Sequence, residues 1–440
     1  MNAAFPRLRE AGWWLLLLAI TLYMTLSSLT LAWLGVPYDL PGGNPLVKFH
    51  PGTWVLVLAL LVALAGCGHP LRVLLGRLWQ APLLAVYLGA MVIVAVWSVS
   101  RNGTGGAAFI VDTLWMPGIA LLVLGLYGPA RHRRLLRWMV ALLVLNALVA
   151  LAEYAARQTL VPRFAADTGL VADAGYFRAS ALLGHPLANA MITLALMPAA
   201  MLLAGWRRWA ALGITGLALL AFGSRASLAA LLTVYLGALA LTAALQTARG
   251  RYSYLQVTGG LLALMLAATA VVGTVLASGL GERIFANLTW DNSANVRLVA
   301  LQALDHLDDF EWWVGVPPAR IDEIALRLGL DPRFEAIENF WIVLLMQFGL
   351  IGFIPFVVGL GAGLLHVWRQ AMPPLQLALP VYLLVASGAN TLAAKSVSLT
   401  LLFVVMAASA AWRLPAAGGR PAVMPAAAAR PWRTGRRAWR

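Results

Sequence analysis

Residues 81–99 read APLLAVYLGAMVIVAVWSV, a run with no charged side chain from end to end. A helix needs about 20 such residues to cross the roughly 30 Å hydrocarbon core of a bilayer, whereas a buried strand ends after about 8. The run therefore predicts a membrane-spanning helix. Comparable apolar stretches flank it on both sides, at 13–35, 51–68, 107–128, 138–156, 182–205, 209–223, 226–245, 255–277, 339–368, 377–392 and 397–411. Together they predict an all-α, polytopic membrane protein with about 12 transmembrane helices. Composition agrees, because 61% of the 440 residues are hydrophobic and only 11% are charged, about half the charge of an ordinary soluble domain. The first stretch is too long for a signal-peptide core and predicts a retained span.

Charge fixes an orientation. The connectors holding Arg7 and Arg9, Arg72 and Arg77, Arg131 to Arg137, Arg207 and Arg208, Arg249 and Arg251, and Arg369, with the seven arginines from Arg413 onward, carry 20 of the 32 basic residues, against 12 in the connectors that alternate with them. Positive charge in short loops favours the cytoplasm, so both termini are expected there. Glu10 is then the one cytoplasmic acid. The longest connection, 278–338 between spans nine and ten, faces outward, and loops of that length are commonly functional. The domain reading is one transmembrane unit, 1–413, that includes loop 278–338, followed by a basic disordered tail, 414–440, lying against anionic lipid. Membrane lipids, and not nucleic acid, are the partners implied by the net charge of +15. The single cysteine, Cys67, excludes an intramolecular disulfide or a cysteine-built metal site. No Gly-rich nucleotide loop is present.

Several polar residues ask for more than a topological account. Span 209–223 supplies about 22 Å of helix at 1.5 Å per residue, which draws the following Ser224-Arg225 toward the hydrocarbon. An arginine at a helix end ordinarily snorkels; this one, on the outward side and flanked by small residues, points to an anionic ligand. Arg297 opens a run in which Leu298, Leu301, Leu304 and Leu307 repeat as on an interfacial helix, although a solvated loop helix has the same pattern. Two guanidinium groups converging on one outward site would suit a diphosphate. Glu338-Asn339 stands where the long loop enters a span, a place where capping is the ordinary role. Gly184-His185-Pro186 opens another span just after Arg178. Asp112 and Glu153 lie near outer span ends and are either proton-relay groups of a transporter or interface residues. Asp305, His306, Asp308 and Asp309 read as an acidic helix end and not as a metal site.

The order of Arg178 and a Gly-x-Pro-x-x-Asn segment (Gly184, Pro186 and Asn189, with His185 after the glycine), Ser224-Arg225 at an outer helix junction, and Asn295-Val296-Arg297 in a long outer loop resembles the O-antigen ligase and O-antigen polymerase superfamily. Trp312-Trp313-Val314-Gly315-Val316-Pro317 is similar to the family's Gly-rich turn, and Glu338-Asn339-Phe340-Trp341 with Gln347-Phe348-Gly349-Leu350 to its return into the membrane. The resemblance covers about Arg178 to Gly352. It implies a multi-pass protein of the bacterial inner membrane and metal-independent, inverting transfer of a glycan from undecaprenyl diphosphate on its periplasmic face, without a cofactor. The ligase branch, with a sugar hydroxyl of lipid A-core as acceptor in lipopolysaccharide biosynthesis, fits the single large loop better than the O-antigen or exopolysaccharide polymerase branch. By resemblance Arg225 and Arg297 hold the diphosphate, while Arg178, His185 and Asn339 bind substrate. Family ligases carry His-Asn where this chain has Glu338-Asn339, so Glu338 takes the place of the base; a carboxylate, ionised at neutral pH, can serve. A reading of another class is a transporter of an anionic lipid-linked solute, which would place its groups near mid-membrane in two related halves.

Overall fold

The computed structural model describes residues 5–38, 44–103, 107–161, 177–251, 253–277, 299–330 and 337–413. Every regular element among them is helical. The helices that position the site are α1 (Pro6–Thr25), α2 (Pro51–Ala65), α3 (Pro82–Asn102), α4 (Met116–Gly125), α5 (Pro129–Ala156), α6 (Pro186–Leu196), α7 (Trp206–Phe222), α8 (Phe340–Gln370), α9 (Ala378–Ser387) and α10 (Ser398–Ser409). Helices α1, α2, α3, α5 and α6 each start on a proline. There the missing N–H would have had no partner in any case, and the ring presets φ.

One apolar core joins these helices. Helix α10 runs through its centre with all of its residues buried, which is why its sequence shows no polar face. Helix α1 lies along α2, and α3 along α8. The second pair comes close at Gly359, where a Cβ would stand 2.6 Å from both Ala90 Cβ and Met91 Cε.

Four helices among the described residues are long and apolar enough to cross a membrane: Pro82–Asn102, Pro129–Ala156, Arg225–Ala248 and Phe340–Gln370. A fifth is reached if Pro51–Ala65 and Pro70–Gln80, bent by 109°, count as one span. This corrects the twelve spans expected from the sequence. Other apolar runs are broken into pieces. The run 13–35 leaves the helix at Leu26, and Ser27 caps a new short helix, Ser28–Trp33. The run 107–128 begins in a π-helical turn, Ile110–Trp115, and 182–205 passes from α6 into a 3-10 turn, Met197–Leu202. The last two of these runs, with 377–392 and 397–411, give helices of 10–17 residues, about 15–25 Å long, short of the roughly 30 Å that a span requires.

The long connection is also more structured than a loop. Residues 278–298 and 331–336 lie outside the described residues, and with them Arg297, as does the tail 414–440. The remainder folds into helices Asp309–Val314 and Pro318–Arg327, the first started by a capping box of Asp308 and Glu311. Ala303, Leu307, Val316, Ile324 and Leu330 form a second small core with Ile342 and Met346 of α8. Two glycines lock this piece in place: Gly349 interrupts α8 at φ +58° and ψ 177°, and Gly315 turns at φ +80° and ψ 175° against it. Val316 N–H donates to the Met346 carbonyl at 2.7 Å across the junction. Trp97 Nε1 donates to the Phe348 carbonyl exposed by the kink, at 2.8 Å.

The bundle has two chemically distinct ends. At one, Arg131 pairs with Glu10, Arg9 donates to the Leu126 carbonyl, Arg133 to Ala411, and Arg413 to Arg369. Helix α5 carries Arg131 and Arg133 at its start and Glu153 at its finish, so the groups around Glu153 belong to the opposite end.

Candidate functional site

At that opposite end a cavity of about 510 Å³ opens between the end of α1, Tyr38, His50, the start of α6, Glu338 and the segment 389–397 that joins α9 to α10. Glu338, His185, His50 and Lys395 line it, together with Ser27, Ser28, Asn390, Thr391 and Ser396. Groups of opposite charge capacity facing one water-accessible space can bind an anionic, hydroxylated ligand and move a proton.

The floor is built around Asp112. The π-helical turn that carries it places Asp112 and Thr113 where both serve the site; such turns recur at functional positions. Asp112 accepts from Thr53 Oγ1 at 2.7 Å, from the His50 backbone N–H at 3.0 Å and from Tyr38 OH at 3.2 Å. Thr113 Oγ1 donates to the Ala394 carbonyl at 3.0 Å and accepts from Ser396 N–H at 2.9 Å. One turn of chain thus fixes both the His50 wall and the Lys395 wall. Lys395 lies within electrostatic reach of Asp112. Its Nζ donates to the Tyr38 carbonyl and, at 3.5 Å, to that of Lys48, and stands 4.6 Å from the Tyr38 ring centre.

His50 caps α2 by accepting from Gly52 N–H on Nδ1 at 3.0 Å, which leaves the proton on Nε2 for the Leu26 carbonyl at 2.8 Å. Burial pushes its pKa down to about 4, the Leu26 bond opposing only in part. The ring is therefore neutral at pH 7.

The α6 wall hangs from a buried polar chain. Glu153 accepts from Ser180 and Ala181 N–H, each at 2.8 Å, and from Leu160 N–H at 2.6 Å. Ala181 has φ +42°, a strained conformation for a residue with a Cβ, and its bond to Glu153 helps hold it. Asn146 accepts from Leu182 N–H at 3.0 Å and donates to Asn189 Oδ1 at 2.9 Å; Asn189 donates to the His185 carbonyl at 3.0 Å. His185 itself caps α6, accepting from Leu187 N–H at 3.3 Å.

Of the residues singled out in the sequence, Glu338 and His185 line the same cavity. Asn339 instead caps α8, its Oδ1 accepting from Trp341 and Ile342 N–H at 3.0 and 3.4 Å; the cap belongs to Asn339 and not to Glu338. Arg178 is buried and donates to the Phe222 carbonyl at 3.1 Å, at the helix end that carries Ser224 and half-buried Arg225. Neither arginine is among the residues lining the cavity. Asp112 and Glu153 are anchors for backbone and hydroxyl donors. Lys395, Tyr38 and His50 escaped the sequence reading, though one signal was present: only two of the 32 basic residues are lysines, Lys48 and Lys395, and both come together here. Among the described residues no three His, Cys, Asp or Glu side chains converge as a metal would require. No protein-family model matches the chain, and no curated protein matches it.

Proposed function

We propose that the protein transfers a glycan from a polyprenyl diphosphate to a hydroxyl acceptor at the outer edge of the bacterial inner membrane, with lipid A-core as the acceptor. The reading is carried by one observation: Glu338 and His185, more than 150 residues apart in sequence, border the same cavity at one end of an apolar helical bundle. The acceptor oxygen attacks the anomeric carbon from the side opposite the leaving group. The carbon–oxygen bond to the diphosphate breaks, its electron pair leaves with the diphosphate, and the hydroxyl proton passes to Glu338. Lys395 inside the cavity offsets the charge that develops on the diphosphate, and Arg225 and Arg297 are assigned to the same diphosphate by the sequence resemblance, Arg297 lying outside the described residues. Arg178 fixes the helix end bearing Arg225, and Asn339 fixes the start of α8 beside Glu338. Cleavage of the sugar–diphosphate bond drives the reaction, so no nucleotide is consumed.

The test is Glu338→Gln in proteoliposomes supplied with undecaprenyl-diphosphate-linked glycan and lipid A-core. General-base removal lowers turnover by about 100-fold or more at an unchanged melting temperature; near-normal turnover removes Glu338 from the chemistry. Wild-type product on lipid A-core supports the ligase reaction, and a longer lipid-linked chain makes the protein a polymerase. Uptake of the donor with neither product makes it a transporter.

A further inference from the structure

The opposite, arginine-rich end holds a second cavity, of about 490 Å³, lined by Arg133, Arg137, Arg207, Trp206, Trp412 and the Leu202–Ala204 turn. Arg133 and Arg137 lie one turn apart on α5, and Arg207 comes from the first turn of α7. Arg133 is braced by two bonds to the Ala411 carbonyl, at 2.7 and 3.0 Å, and by the Trp412 ring. The ion pairs among the described residues engage Arg131, Arg320 and Arg327 but not Arg137 or Arg207. Residues 414–440, which follow Arg413 at this end, include arginines and no carboxylate side chain.

We infer that this cavity is a binding site for an anionic phospholipid, its phosphodiester held by Arg137 and Arg207 and its glycerol backbone laid against Leu202 and Leu203. Clustered arginines select phosphate oxygens, which the planar guanidinium can grip in pairs. The apolar wall and Trp206, 74% exposed at the cavity rim, select a lipid over a soluble phosphate. Tryptophan sits by preference at the level of lipid headgroups, and basic pockets between helices are where such headgroups dock. The site is remote from the Glu338 cavity and does not depend on the reaction assigned there.

The experiment is native mass spectrometry of the full chain in detergent, titrated with dioleoylphosphatidylglycerol and, in parallel, with dioleoylphosphatidylcholine. The glycerol lipid binds at least 10-fold more tightly, and Arg137→Gln/Arg207→Gln removes that preference. Both side chains are exposed, so the fold tolerates the change. Trp206→Ala, also at an exposed position, weakens binding of both lipids, whereas Arg134→Gln, whose guanidinium stacks on Trp14, leaves binding unchanged. Equal binding of the two lipids, or an undiminished preference in the double variant, overturns the inference. Displacement of the lipid by millimolar inorganic phosphate or glycerol phosphate overturns it as well, since it would make the cavity a site for a soluble anion.

Discussion

Gly315 and Gly349 stand back to back, each in an extended, positive-φ conformation, so that the turn after helix Asp309–Val314 and the kink in α8 fit into one another. A Cβ at Gly315 would come within 2.6 Å of the Gln347 carbonyl oxygen and the Gly349 nitrogen. Such backbone angles are available essentially to glycine alone. Gly315→Ala and Gly349→Ala are each expected to lower stability by about 2 kcal/mol or more, read as a fall in melting temperature by tryptophan fluorescence. Because both substitutions break the same contact, the double variant should lose less than the two single losses together. Additive losses would mean that the glycines act separately.

Much of this was legible beforehand and some was not. Residues 312–317 read as a Gly-rich turn and 347–350 as part of a return into the membrane, both by resemblance, and Glu338 and His185 were assigned to the site by the same resemblance; that the two glycine segments meet was not legible. What sequence periodicity does not reveal is how an apolar run is subdivided. The twelve apolar stretches all read as possible spans, yet α10 is buried by protein on every side and 110–115 tightens into a π turn. Hydrophobicity reports that a segment avoids water, not whether lipid or protein surrounds it. Asp112 shows the same limit. Its role depends on three donors supplied by Tyr38, His50 and Thr53, a juxtaposition that no spacing encodes.

Asp112 and Lys395 form the electrostatic centre of the cavity floor, and their coupling is measurable. Lys395→Met leaves the buried carboxylate without its countercharge, while Asp112→Asn turns a donor toward groups that already donate. Each change is expected to destabilise the protein, and the double variant to recover part of the sum, giving a coupling of about 1–3 kcal/mol. Thermal unfolding of the four proteins in one detergent provides the cycle. A coupling of zero would mean that Lys395 is held by the Tyr38 and Lys48 carbonyls alone.

Glu153 separates an anchoring role from proton relay. Glu153→Gln keeps the shape of the side chain but leaves one of three backbone N–H groups facing another donor, a cost of about 1–3 kcal/mol. Glu153→Ala strands all three and releases the strained Ala181, so its loss should be larger. A transporter that used Glu153 to carry protons would show the reverse: a Gln variant of normal melting temperature whose uptake no longer responds to a pH gradient.

His50 gives the fold a pH dependence whose sign follows from its buried, neutral ring. Unfolded, the imidazole takes a proton near pH 6.5; folded, it resists until about pH 4. Between these values the unfolded chain binds the extra proton, so stability rises with pH. The contribution is complete above about 6.5 and is lost progressively as the pH falls toward 4, with a slope of up to about 1.4 kcal/mol per pH unit. His50→Asn supplies the comparison, because asparagine can still cap α2 but does not titrate. Unfolding of both proteins from pH 4 to pH 7 should give curves that converge in the acid range and separate toward neutrality, with wild type the more pH-sensitive. Parallel curves would mean that the His50 ring is protonated as readily in the folded protein as in the unfolded chain, and that its bond to the Leu26 carbonyl does not require the neutral form.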